Sequence, residues 1–204
     1  MGFDGILPYI LLDMKTRTGA APTISTLFFC GNHADVLQRS VDSPSGCVAV
    51  ADLHLIIGSL SFLGRLDEAQ TLFAGRQREM QEPARCAARF FLGISLCRHS
   101  HYKQSLAFLV ANLNQSQASK DQLIRFYAYQ GLGFYRFFCG RFRRARRSAQ
   151  MAHHAAFAAH FSWGKMISMD LIGHSCVQVG EVSLGLSHLA RAAGFAKTLR
   201  ARAR

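Results

Sequence analysis

The chain has 204 residues, half of them hydrophobic, and a formal net charge of +12. That suffices to bury a core as one domain, or as one solenoid with an N-terminal extension. The charge is uneven: residues 1–100 hold nine Lys/Arg against nine Asp/Glu, and residues 101–204 hold fifteen against three, which suggests an anionic partner for the second half or simply a solvated basic surface.

In chain order, Ile6 to Leu12 is apolar but too short to span a bilayer, and Pro8 interrupts it. It lacks the basic start and small-residue cleavage site of a secretory signal, so a cytoplasmic location is the default expectation. Residues 1–46 read as an N-terminal extension with one or two short helices. Ile24 to Leu37 is a helix or a degenerate helix pair with Gly31 as the turn, and Ser43-Pro44-Ser45-Gly46 is a linker.

From residue 47 to 204 the pattern becomes a series of helical hairpins. Val50, Leu53, Ile56 and Leu60 recur at helical spacing, so a first hairpin pairs about 48–63 with 66–80. Glu82-Pro83 marks the next start, since proline fits a first helical turn but not an interior. A second hairpin pairs about 84–99 with 102–114, and Asn114 to Lys120 reads as a polar loop. The third pairs about 121–139 with 142–158, and the fourth about 161–179 with 182–199. From Ala84 onward no proline interrupts the chain, which favours long helices.

Four features repeat in register. Turn residues fall at Gly64, Ser100, Gly140 and Gly180. Bulky anchors follow at Leu66, Tyr102, Phe142 and Val182, then small residues at Ala69, Ser105, Ala145 and Gly185. Seven residues before their turns stand Gly93, Gly133 and Gly173, with Gly58 one place off register. A mid-helix glycine costs about 1 kcal/mol relative to alanine, so its recurrence predicts a close approach by the small residue on the facing helix. Steps of 36 to 40 residues lie in the range of helical solenoids.

At these residues the chain resembles the tetratricopeptide repeat (TPR) family. Gly64-Arg65-Leu66-Asp67-Glu68-Ala69 matches that family's inter-helix turn, and Leu132-Gly133 with Gly140, Phe142, Ala145 and Ala152 matches a whole unit. The 40-residue spacing and the alanine- and histidine-rich stretch Ala149 to His160 look more like the long repeats of MalT-type bacterial regulators. The resemblance implies an all-α, right-handed α-α superhelix of about four hairpins. It also implies that the first helix of each hairpin lines a concave binding groove. The lining residues would be Phe62, Phe90, Ile94, Tyr127, Gln130, Phe134, Phe137, Asp170, His174 and Gln178. The competing reading is that these rings are inter-helix core.

Arg141, Arg143, Arg144, Arg146 and Arg147 form a patch for an anionic partner or a solvated face. With Ala145 and Ala149 inward, Arg143, Arg146 and Arg147 point outward. His153-His154 with His160, and His99 with His101, lack the three- or four-residue spacing of helical metal ligands, so no metal is expected. Six cysteines without a CxxC pair read as buried small hydrophobes, Cys97 and Cys139 among them. With no phosphate loop, no GxSxG and no paired acids, the chain reads as a non-enzyme without a cofactor. Asp170 and His174, four apart, can meet as polar lining.

The expected function is non-catalytic protein–protein interaction, as an adaptor, chaperone or scaffold taking a peptide or helix in an apolar groove. The partner would be a protein or peptide of acidic character. A second copy is a further candidate partner, because the last helix carries uncovered Leu184, Leu186 and Leu189. Two alternatives stand beside it: the ligand-sensing or oligomerisation region of a MalT-like transcription regulator, and nucleic-acid binding through the basic half.

Overall fold

The computed structural model describes residues 22–42 and 49–202. Among them ten α-helices follow one another: α1 Ile24–Phe29, α2 His33–Val41, α3 Leu53–Phe62, α4 Leu66–Arg76, α5 Glu82–Arg98, α6 Tyr102–Ala118, α7 Gln122–Phe138, α8 Phe142–Ala158, α9 Ser162–Gln178 and α10 Val182–Arg202. A short 3-10 turn, Val50–Asp52, leads into α3. Helices α5 to α9 are each 17 residues long, or about 25 Å at 1.5 Å per residue. Consecutive helices pack as hairpins, and α3, α5 and α7 also pack on one another, which makes an all-α solenoid.

The turns show why the period was readable. Gly31, Gly64, Ser100, Gly140 and Gly180 all have positive φ, between 63° and 89°. At Gly140 the Arg141 N–H donates to the Arg136 carbonyl at 2.8 Å and the Gly140 N–H to the Phe137 carbonyl at 2.9 Å. This is a Schellman motif, which satisfies two carbonyls the helix end would leave orphaned. The same pair of bonds closes α1, α3, α5 and α9, and also α8, where His160 takes the left-handed position.

Gly31 is a full turn, and the α1–α2 hairpin packs on α3, so one further hairpin precedes the four of residues 47–204. One sequence expectation, the polar loop at Asn114 to Lys120, is corrected here. Residues 114–118 are helical, extending α6 to Ala118. They contain neither glycine nor proline, and α6 is pinned by the buried Asn112 amide, which donates to the Cys86 carbonyl of α5 at 2.8 Å.

The mid-helix glycines sit where backbones meet. A Cβ on Gly173 would lie 2.9 Å from the Gly185 carbonyl oxygen, and one on Gly133 would lie 3.5 Å from that of Ala145. At Gly93 the paired small residue is Ser105, whose hydroxyl donates to the Gly93 carbonyl at 2.7 Å. Gly75 of α4, by contrast, has nothing within 4 Å of an added Cβ. Opposite signs are therefore expected from one substitution. Gly75→Ala should stabilise by about 0.5–1 kcal/mol through helix propensity. Gly173→Ala should cost about 2 kcal/mol, because a backbone oxygen cannot rotate away. Urea denaturation of both variants checks the contrast.

Candidate functional site

Leu53, Ile57, Phe90, Phe91, Phe126 and Leu171 are each at most 2% exposed. They come from the first helices of successive hairpins, so the interior follows the inner side of the stack. Aromatic rings run through it as one cluster. Phe28 of α1 meets Phe91 of α5 at 4.9 Å, and Phe90 meets Tyr127 of α7 at 5.4 Å. Phe126 meets Phe161, just before α9, at 5.3 Å, and Phe29 of α1 reaches Trp163 of α9 at 5.4 Å. The stack thus curves until its first and fifth hairpins touch through their rings.

That curvature decides where each expected groove residue lies. Phe90, Ile94, Tyr127, Gln130 and Phe137 are buried between helices, where they hold the stack together and present no surface to a partner. Phe62 is half-buried against Phe28, His33 and Phe91. Phe134, Asp170 and His174 are half-buried, and Gln178 is exposed. These last four belong to two helices. Phe134 continues to Phe138, one turn on along α7, with ring centroids 6.5 Å apart in a stacked arrangement. Asp170, His174 and Gln178 recur every four residues along α9. The Gln130 amide donates to the Ile167 carbonyl at 3.2 Å, tying α7 to α9 one turn ahead of Phe134 and Asp170. The two stripes therefore run side by side, one aromatic and one polar.

Within the polar stripe, Asp170 Oδ1 lies 3.5 Å from His174 Nε2. The hydrogen bond to Asp170 raises the His174 pKa above its ordinary value. Phe138 was not singled out from the sequence as a lining residue. Its i, i+4 relation to Phe134 was the signal that could have found it.

The arginine patch divides. Arg141, Arg143, Arg144 and Arg147 are exposed at the start of α8, where the helix dipole disfavours cations. Arg146 does not point freely outward. It is half-buried and bridges α8 to the α9–α10 turn, pairing with Glu181 and reaching the Cys176 sulfur at 3.7 Å. Behind the patch, Arg136 donates to the Ser148 hydroxyl at 2.5 Å, and burial, then Arg144 and Arg141, lower its pKa.

The three acidic residues of the second half are all engaged locally. Asp121 caps α7, accepting from the Leu123 N–H at 2.7 Å, Asp170 faces His174 and Glu181 faces Arg146.

Cys30, Cys86, Cys97 and Cys176 are buried, whereas Cys139 is exposed. Cys139 ends α7 beside the Gly140 turn, where the chain leaves the packed interior. Burial pushes the Cys86 and Cys97 thiols up to about 11. Among the described residues no group of three or more His, Cys, Asp or Glu is placed to hold a metal ion, and no helix is long and apolar enough to cross a membrane. On α10, Val182, Leu184 and Leu186 are 50%, 48% and 58% exposed, while Ala192 is buried.

Fold and site together define an all-α stack of helical hairpins with a ring-filled interior and a basic C-terminal half. Comparison with protein-family models, curated proteins and solved structures found no match.

Proposed function

We propose that the chain is a non-catalytic protein-binding module of the tetratricopeptide-repeat kind. It takes a peptide or helix against Phe134 and Phe138 of α7 and Asp170, His174 and Gln178 of α9. What supports this reading is the paired stripe itself. Two aromatic rings supply apolar contact, and polar side chains beside them supply hydrogen bonds that fix register, as in helix-in-groove recognition. The ring cluster fills the rest of the inner side, so the partner contacts this open strip rather than threading the whole concavity. The exposed arginines of α8 add a field that draws in an acidic partner and mainly raises its association rate.

The test is co-purification with the wild-type chain, followed by affinity measurement on the recovered protein. Phe134→Ala with Phe138→Ala should weaken binding more than about tenfold, the scale of a truncated aromatic anchor. Helix content should stay unchanged, because both rings are only half-buried. Equal affinity of wild type and double variant for every recovered protein would sink the reading.

A further inference from the structure

On the opposite side of α9 from the stripe, α8 and α10 form the walls of a cleft of about 160 Å3. Gln150, His153 and His154 of α8 face His188 and Arg191 of α10, and Met169 and Ile172 of α9 make the floor. None of these seven side chains is a carboxylate. The volume equals roughly five waters at about 30 Å3 each, enough for one tetrahedral ion with part of its hydration. Five polar side chains stand over an apolar floor, Gln150, His154 and Arg191 of them exposed, so the cleft is open and its charge-assisted hydrogen bonds still exceed neutral ones.

We propose that this cleft binds a phosphate-class oxyanion, with the Arg191 guanidinium supplying the fixed charge and Gln150, His154 and His188 supplying further donors.

A hydrogen bond already present orients one of the rings, and a missing partner bears on a second. The Ser168 hydroxyl is committed as a donor to the Gly164 carbonyl at 2.8 Å. His153 Nδ1, at 3.0 Å, therefore donates to Ser168 Oγ, and Nε2 is an acceptor in the neutral ring that becomes a donor to an anion once the ring takes up a proton. His188 Nδ1 is buried without a partner, which favours the tautomer carrying its proton on the other nitrogen, where a ligand can accept it.

The electrostatics agree. His153 is held below its ordinary pKa by burial first, then by His154, Arg191 and Lys165, against a hydrogen bond from its ring to the Lys165 backbone, which raises it. His188 is held down by burial, then by Arg191 and Arg146. Glu181, in the turn before α10, is paired with Arg146. An anion in the cleft offsets this repulsion and raises both histidine pKa values, so binding takes up protons and tightens as pH falls. The cleft is distinct from the Phe134–Gln178 stripe, and neither proposal depends on the other.

The experiment follows the histidine Cε1–H proton resonances of the full chain while inorganic phosphate, and separately O-phosphoserine, is added at constant ionic strength. Single His→Gln variants supply the assignments. Saturable shifts confined to His153, His154 and His188, with His99 and His101 unmoved, are expected. Arg191→Gln, on an exposed side chain, should weaken binding about tenfold, the worth of one charge-assisted bond, with unchanged thermal melting. Sulfate keeps its charge between about pH 5 and 8, across the histidine range, so its affinity should rise as pH falls. Tighter binding of inorganic phosphate identifies a free anion as the ligand, and tighter binding of O-phosphoserine identifies a phosphoryl group carried on a chain. Shifts that merely track ionic strength, equal movement of His99 and His101, or an Arg191→Gln variant that binds as wild type would each overturn the proposal.

Discussion

Truncating Leu109 to alanine is expected to lower the unfolding free energy by about 3–4 kcal/mol, measured by urea denaturation. Leu109 of α6 is 2% exposed. Its Cδ2 sits 2.6 Å from where a Cβ would stand on Gly93 of α5, and 2.6 Å from the same point on Gly131 of α7. The leucine is a knob held in a hole that two glycines make, and three helices meet there. Removing it leaves a space that α5, α6 and α7 cannot close without moving together. The converse change, Gly93→Ala, should cost about 1–3 kcal/mol by overpacking. In the Leu109→Ala background the new methyl would enter the vacated space and contribute helix propensity, so Gly93→Ala should there stabilise by up to about 1 kcal/mol. That reversal of sign is the specific expectation. Simple additivity of the two costs would mean that the residues do not share one space.

The second large effect is a loss of stability in mild acid. His33 opens α2 with its Nδ1 3.3 Å from the Ser59 hydroxyl and its ring 4.9 Å from Phe62 and 5.1 Å from Phe28. Burial among these rings lowers its pKa from 6.5 to about 4. Because the folded value is depressed, the unfolded chain takes up the proton first. The stabilisation is fully present above pH 6.5 and is lost as pH falls toward about 4. At about pH 5 the loss from this residue alone is about 2 kcal/mol. His33→Phe should remove that share, so the variant loses about 2 kcal/mol less than wild type between about pH 7 and pH 5. His54, His153 and His188 are also lowered and add the same slope to both proteins. His174 acts in the opposite sense, since its raised value gives stability that is lost as pH rises through it. Identical acid profiles for wild type and His33→Phe would remove His33 as the cause.

Both effects fall in the stack that positions the partner strip. Leu109 locks α5 to α7, which carries Phe134 and Phe138. His33 joins the α1–α2 hairpin to the ring cluster on which the inner side closes. Loss of binding in variants near these positions is therefore to be compared with their stability before any residue is assigned to a partner contact.

The sequence by itself determined the period of this protein. Gly64, Ser100, Gly140 and Gly180 were legible because a left-handed turn constrains the backbone at one residue. Gly93, Gly133 and Gly173 were legible because a mid-helix glycine is costly unless something occupies its side-chain space. Both are local requirements, and local requirements leave a mark on residue type. The tertiary structure alone decided which inner-side residues are core and which are surface. Ile94 and Phe134 are both bulky apolar residues on first helices six residues before their turns, yet one is sealed and the other is half-open. The difference comes from the curvature of the stack, which brings Phe29 of α1 onto Trp163 of α9, and curvature sums small angles over five hairpins that no single stretch of chain encodes. The pairing of Arg146 with Glu181, 35 residues apart, and the facing of His154 by Arg191 across α9 depend on the same sum.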